Sequence, residues 1–134
     1  MHVLSIKIAL ALSALTCLAI GSLVVFAPAF LFGLNRIALD PSAAMMSEIR
    51  APGVLLLLGG ALAAGGLVSK AFERPALLVS AGLLLCYGVG RMISLPLDGL
   101  PPASLLIATA VELGLGAWCA VLSATRSAKA HLTA

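Results

Sequence analysis

The sequence of 134 residues contains very little charge. Charged residues make up 10% of the chain and hydrophobic residues 62%, and the mean hydropathy is +1.19. Soluble domains carry about 25% charged residues, so a water-soluble protein of this size would lack the polar groups to cover its surface. The shortage of charge excludes an ordinary soluble domain and predicts that the solvent of the chain is lipid.

Basic residues are present but isolated. The formal net charge is +3, yet the lysines and arginines are scattered singly and form no basic patch with interleaved aromatics, as nucleic-acid binding requires. The sequence therefore excludes nucleic acid as a partner. In a membrane protein an excess of basic residues sets orientation instead.

Signatures of catalysis and of metal binding are also lacking. The chain has no G-x-S-x-G, HExxH, P-loop or dinucleotide fingerprint. Its two histidines, His2 and His131, lie near the chain ends, and Cys17, Cys86 and Cys119 lie far apart in apolar runs. We expect the cysteines to pack as small apolar residues, and we predict no enzyme activity, no metal site and no cofactor.

Four long apolar runs are what the sequence does contain. A helix needs about 20 apolar residues to cross a bilayer, and no strand-like alternation competes with the helical interpretation. We predict spanning helices over approximately 5–27, 52–69, 75–95 and 102–124, in an all-α, antiparallel four-helix transmembrane bundle that forms a single domain over 1–134. The first run is too long for a signal peptide and lacks a cleavage site, so we expect a retained helix.

The connection between the first and second predicted helices is the longest. Its apolar start, 30–34, is expected to lie at the membrane interface. Asp40 followed by Pro41 is typical of an N-cap and a first helical position. The pattern predicts a short interfacial helix through Met45, Met46 and Glu48.

The distribution of charge predicts that both termini are cytoplasmic. Placing the N-terminus inside puts five basic residues on the cytoplasmic side, Lys7, Lys70, Arg74, Arg126 and Lys129, and three on the other side, Arg36, Arg50 and Arg91. Of the five acids only Glu73 is cytoplasmic, so the inner residues carry +4 and the outer residues −1. A basic excess on the inside favours this orientation of a multi-pass protein.

Ionisable residues inside the predicted helices mark the candidate site, because each costs about 2.5–3.5 kcal/mol near the membrane centre. Glu112 lies roughly 13 Å along the fourth helix, and Arg91 lies roughly 6 Å before the end of the third. The antiparallel arrangement gathers five charged residues at the outer end: Glu48, Arg50, Arg91, Asp98 and Glu112. We expect Arg50 and Arg91 to reach across the bundle toward Glu112 or Asp98, because the arginine fork suits carboxylates.

Two interpretations of this cluster are open. The charges form either an internal ion-pair network that locks the helices together, or a polar pocket at the outer face for a lipid head group, a small carboxylate or a proton. Proton-coupled transport is disfavoured, because it needs more intramembrane polar residues and the halves show no inverted repeat. Small-xxx-small spacings such as Gly60 to Ala64 and Ala61 to Gly65 predict close helix packing, within the bundle or against a partner.

Short motifs in a fixed order give a family resemblance. Ser47-Glu48-Ile49-Arg50-Ala51, then Gly90-Arg91-Met92-Ile93-Ser94, then Asp98-Gly99 and Glu112 resemble a small bacterial membrane family catalogued as domain of unknown function 4345. The resemblance covers nearly the whole chain. It implies a four-helix bundle in the bacterial cytoplasmic (inner) membrane, adds Ser94 and Gly99 to the candidate site, and implies no activity. Pro52-Gly53-Val54 departs from the pattern that we expect after the arginine.

The combined expectation is an uncharacterised multi-pass protein that binds a lipid or a small anionic ligand at Glu48, Arg50, Arg91, Ser94, Asp98 and Glu112. The alternative is an accessory or assembly subunit of a larger membrane complex, or a homo-oligomer, in which the charges are structural.

Overall fold

The computed structural model describes residues 2–132, with side chains described from 3 to 125, and this part of the chain is mostly helical and has no strand. It contains α1 (His2–Phe26), α2 (Pro28–Leu34), α3 (Ala43–Val68), α4 (Lys70–Asp98) and α5 (Ala103–Leu132). Four segments are long and apolar enough to cross a membrane: Val3–Phe26, Ala43–Val68, Lys70–Asp98 and Ala103–Thr125. The predicted all-α fold with four spans is confirmed. The side chains of His2, Arg126, Lys129 and His131 lie outside the described part.

Contacts between glycines and their neighbours show that adjacent helices are antiparallel. Leu18 of α1 meets Gly60 of α3, whereas the earlier Leu10 meets the later Gly66. The same reversal relates α4 to α5, where Gly88 meets Leu113 and Leu85 meets Gly116. Helices α1, α3, α4 and α5 therefore pack in that order, and smaller contacts of α1 with α4 and α5 close the bundle. One end of the bundle, here called the loop end, carries residues 27–42 and 99–102.

The bundle buries only part of each span. About a third of the residues in each apolar window lie inside the bundle, around a core that includes Leu10, Leu77 and Ala63. Large apolar side chains such as Leu15 and Ile107 project outward, with 68% and 66% exposed. In water such a surface would be a liability. Around four spanning helices it is the surface that contacts lipid.

Glycines bring the backbones of α1 and α3 into contact. A Cβ atom on Gly60 would lie 2.7 Å from Leu18 Cγ and 2.9 Å from its backbone nitrogen. Around Gly65, in contrast, no described atom lies within 4 Å of such a Cβ, and Ala61 is exposed. Glycine packing inside the bundle is thus present at Gly60, whereas the pair Ala61 and Gly65 makes no close contact inside the bundle, so packing against a partner is the alternative that stays open for it.

The second span begins earlier than predicted, at Ala43 instead of residue 52. Ser42 is the N-cap, because its hydroxyl accepts a hydrogen bond from Met45 N at 3.4 Å, and Asp40 Oδ1 accepts one from Ser42 N at 3.1 Å. The segment through Met45 and Glu48 is therefore the first part of α3. Pro52 lies inside α3 on an exposed face, where it removes one backbone hydrogen bond without ending the helix.

The short helix between the first and second spans is α2, at Pro28–Leu34. The third and fourth helices are also longer than predicted, because α4 starts at Lys70 and ends at Asp98, and α5 continues to Leu132. Only Ser69 separates α3 from α4. The physical reason is common to all these differences. Hydropathy marks the part of a helix that suits lipid, whereas the helix itself continues through charged turns at its ends.

The cysteines divide into two classes. Cys17 and Cys119 are buried, as expected of small apolar residues, and Ser13 Oγ lies 3.5 Å from Cys119 Sγ. Cys86 is exposed on α4, facing away from the core. All three thiols are free.

Candidate functional site

Arg91 and Glu112 form an ion pair between α4 and α5. Arg91 Nε donates to Glu112 Oε2 at 3.0 Å and to Oε1 at 3.3 Å. The contact predicted between these two residues is therefore present. At 1.5 Å per residue the two Cα atoms lie about 10 Å and 13 Å from the helix ends at Asp98 and Ala103. Arg91 is deeper than predicted, because α4 continues past residue 95.

Burial explains why Glu112 requires this partner. Its side chain is 12% exposed, and that of Arg91 is 33% exposed. An unpaired carboxylate at this depth would be costly, since lipid offers no hydrogen bonds. The guanidinium supplies the opposite charge through Nε alone, and no described residue accepts a hydrogen bond from its two Nη groups. Those donors remain for another acceptor.

A groove of about 310 Å³ lies between α4 and α5, from the ion pair to the loop end. Its polar lining is Arg91, Ser94, Asp98 and Thr109, and leucines such as Leu95 complete it. The three polar residues of α4 are spaced at three and seven residues, so one face of the helix presents them all.

The hydroxyl groups of this groove are already engaged. Ser94 Oγ donates to Asp98 Oδ2, on the same helix. Thr109 Oγ1 donates to the carbonyl of Leu105 at 2.8 Å. Asp98 is exposed as the last residue of α4, followed by Gly99 in a backbone conformation with φ of 93°. The ionised groups of the groove region are therefore Arg91, Glu112 and Asp98.

Two residues of the predicted site lie elsewhere. Arg50 Nε donates to the carbonyl of Val25 at 3.1 Å, so this arginine caps the last turn of α1, and the predicted contact with Glu112 or Asp98 is not made. Its position on α3 faces α1, which the apolar pattern did not reveal. Glu48 is exposed near the start of α3. The structure brings together Arg91, Ser94, Asp98 and Glu112 and leaves Glu48 and Arg50 apart.

Comparison with known proteins identifies the family of this chain. A sequence profile described as Domain of unknown function (DUF4345) matches residues 5–123. The chain belongs to the DUF4345 family. No curated protein and no solved structure matches the chain. The matched region of this DUF4345 protein includes nearly all of the four spans and the whole α4–α5 groove.

Sequence reasoning missed a link between the long connection and α5. Ser104 Oγ donates to Asn35 Oδ1 at 2.7 Å, and Asn35 Nδ2 donates to the carbonyl of Leu31 at 2.8 Å. Asn35 therefore ties the end of α2 to the first turn of α5, beside the groove. One feature of the sequence could have drawn attention to Asn35, since it is the only asparagine of this DUF4345 chain.

A second contact that the sequence did not predict involves Tyr87. Its hydroxyl donates to the carbonyl of Pro52 at 3.4 Å and so joins α4 to α3. Tyr87 lies one turn before Arg91, on the same side of α4. The tyrosine therefore fixes the helix that presents the arginine. Among the described residues, no three histidine, cysteine or acidic side chains are grouped to hold a metal ion.

Proposed function

We propose that this DUF4345 protein is a binding protein embedded in the membrane, and that the α4–α5 groove holds the polar head of an amphiphile. The observation that carries the proposal is the half-used guanidinium of Arg91. Glu112 engages only its Nε, and the Nη donors are left at a groove that the residue lines. The Arg91 side chain is 33% exposed, so these donors are accessible from outside the bundle, and because lipid offers them no acceptor, a bound anionic group would stabilise them.

The remaining polar contacts also favour binding over a purely structural lock. A lock would join helices through its side chains, but the bond between Ser94 and Asp98 stays within α4. Of the polar groove residues, only Arg91 makes a bond to the neighbouring helix. The others line the groove without holding the bundle together.

The size and surroundings of the groove fit part of an amphiphile. Its volume of about 310 Å³ lies at the lower end of the range for small-molecule sites, so it fits a head group and not a whole lipid. Leu97 and Leu100 beside it are 75% and 85% exposed. We assign no catalytic step to this groove.

We further propose that the protein lies in the bacterial cytoplasmic membrane with both termini inside, which places the groove in the outer leaflet. The excess of basic residues on the terminal side supports this orientation. Reporter fusions after Ser42 and Asp98 are expected to report outside, and a fusion after Lys129 inside. A cytoplasmic signal at Asp98 would place the groove in the inner leaflet.

Substitution of Arg91 by lysine tests the binding function. Lysine keeps a positive charge for Glu112 but loses the planar fork of donors. We expect Arg91→Lys to stay folded and to lose amphiphile occupancy about tenfold, equivalent to about 1.4 kcal/mol, in native mass spectrometry of protein extracted from membranes. The matched control is Arg50→Lys, the same change outside the groove, which should leave occupancy unchanged. Equal occupancy in wild type and Arg91→Lys would refute the groove as the site.

An accessory-subunit role is the second candidate, and one surface favours it. Gly82, Cys86 and Gly90 are exposed at four-residue intervals on α4, and small residues at this spacing let helices pack closely in membranes. If a second copy packs there, mild oxidation in membranes should yield a disulfide-linked dimer through Cys86. The dimer should disappear in Cys86→Ser, because Cys17 and Cys119 are buried. A monomer in both would exclude self-association through this surface.

A further inference from the structure

We propose that the occupant of the α4–α5 groove is a zwitterionic aminophospholipid, whose phosphate binds Arg91 and whose ammonium group binds Asp98. This inference rests on the proposed function and specifies its ligand. It replaces the anionic ligand that the arginines alone suggested.

The balance of charge is the first reason. Glu112 already neutralises Arg91, while Asp98 has the Ser94 hydroxyl as its described partner and stays exposed. The three ionised groups therefore leave one negative charge in excess. A simple anion would be repelled by Asp98, and a simple cation would leave the Nη donors of Arg91 unused. A ligand that carries both charges matches both residues.

The order of the charges along α4 is the second reason. Arg91 and Asp98 are seven residues apart, about 10 Å along the helix, with Arg91 nearer the membrane centre and Asp98 at the loop end. In an aminophospholipid the phosphate is joined to the acyl-bearing glycerol, and the ammonium group follows it outward. The lipid therefore presents its charges in the order in which the helix presents their partners.

A second depression on the surface favours a lipid over a free zwitterion as the ligand. It is lined by Cys86, Tyr87, Gly90 and Arg91, so it shares Gly90 and Arg91 with the groove and continues along α4 toward the membrane centre. Its volume is about 420 Å³ and its surface is mainly apolar. A head group in the groove would have its acyl chain on this surface. A soluble zwitterion would leave the surface uncovered.

The experiment measures lipid preference by native mass spectrometry. Purified protein is exchanged into micelles with equimolar phosphatidylethanolamine and phosphatidylglycerol of identical acyl chains. Wild type is expected to retain phosphatidylethanolamine about tenfold over phosphatidylglycerol. Asp98→Asn, which removes the excess negative charge, should abolish that preference without abolishing lipid binding. Glu48→Gln is the matched control, because it removes an exposed acid outside the groove and should keep the wild-type preference.

The outcomes separate this inference from the proposed function. If wild type prefers phosphatidylglycerol and Arg91→Lys still lowers occupancy, the zwitterionic ligand is wrong and groove binding stands. If no lipid is retained by wild type or Arg91→Lys, both are wrong. A further arm adds soluble phosphoethanolamine without lipid. Occupancy by phosphoethanolamine equal to that by the lipid would overturn the assignment to a lipid.

Discussion

Two helix interfaces of this bundle are built in opposite ways. Where α1 crosses α3, Gly60 allows the backbone nitrogen of Leu18 to approach so closely that no Cβ fits. Where α4 and α5 approach the loop end, Arg91 and Glu112 stand between them and a groove of about 310 Å³ remains. The first interface has no space for a ligand. The second has space, and its lining includes four polar side chains, those of Arg91, Ser94, Asp98 and Thr109.

The contrast also exists within the α4–α5 pair itself. Closer to the membrane centre the two helices touch through Gly88 and Gly116, where an added Cβ would meet Leu113 at 2.7 Å and Leu85 N at 3.0 Å. Beyond Arg91, toward the loop end, the groove begins. Arg91 and Asp98, which are costly to place in lipid, thus line the groove and lie apart from the glycine contacts. The tight glycine contacts hold the helices together, and the candidate site lies in the groove near the loop end.

The largest expected effect comes from a substitution that removes the ion pair between α4 and α5. Arg91→Ala should lower the free energy of unfolding by about 3 kcal/mol, because Glu112 is left unpaired in a nearly buried position. The measurement is an unfolding titration in detergent micelles. Adding Glu112→Gln should restore most of the loss, since the uncompensated charge is then gone. If Arg91→Ala alone is as stable as wild type, the ion pair does not stabilise the fold.

A smaller effect is expected from the glycine interface. Gly60→Ala should lower the free energy of unfolding by about 2 kcal/mol, because the methyl group forces α1 away from α3. Gly65→Ala adds the same methyl group to open space on the same helix, and alanine favours a helix over glycine by about 1 kcal/mol. This control should be neutral or more stable. Equal destabilisation by both variants would contradict the assigned packing face.

Arg50, which caps α1, is expected to contribute to stability but not to lipid binding, and this distinguishes it from Arg91. Arg50→Ala should cost about 1 kcal/mol of stability, since the carbonyl of Val25 loses its donor at a helix C-terminus. Lipid occupancy should not change, because Arg50 lies outside the groove. Thermal unfolding and native mass spectrometry of the same preparation measure both quantities. Loss of lipid together with unchanged stability would place Arg50 in the site after all.

The smallest effect concerns the link that borders the groove. Ser104→Ala should cost about 0.5–1 kcal/mol, the net value of one hydrogen bond, and Asn35→Ala should cost somewhat more, because Asn35 also donates to the carbonyl of Leu31. Because both residues belong to one bond, the double variant should cost little more than Asn35→Ala alone. Additive losses would show that the two side chains act independently.

Much of this architecture followed from the sequence, because the energetic cost of charge in lipid is large. The lengths of the apolar runs gave four spans, and the depth of Glu112 predicted that it needs a basic partner such as Arg91. Helix ends were harder to predict, since segments such as 43–50 and 70–74 are helical without being apolar. Arg50 was assigned to the wrong partner because nearly uniform apolarity hides which face of α3 meets α1.

The link between Asn35 and Ser104 was beyond the reach of local patterns. The two residues are 69 positions apart, and each alone is an ordinary polar residue near a helix end. Only the closing of the bundle brings them together.

The most direct test of the groove measures the distance between Arg91 and a lipid phosphate. Protein labelled with ¹⁵N in arginine is reconstituted in phosphatidylethanolamine, and solid-state NMR records ¹⁵N–³¹P dipolar dephasing. If a lipid phosphate binds Arg91, the Arg91 Nη signals should show strong dephasing, at roughly 4 Å, the separation that a charge-assisted hydrogen bond imposes. The signal is assigned by its absence in Arg91→Lys. Undiminished Arg91 Nη signals, with no phosphorus nearby, would contradict binding of a lipid phosphate at Arg91.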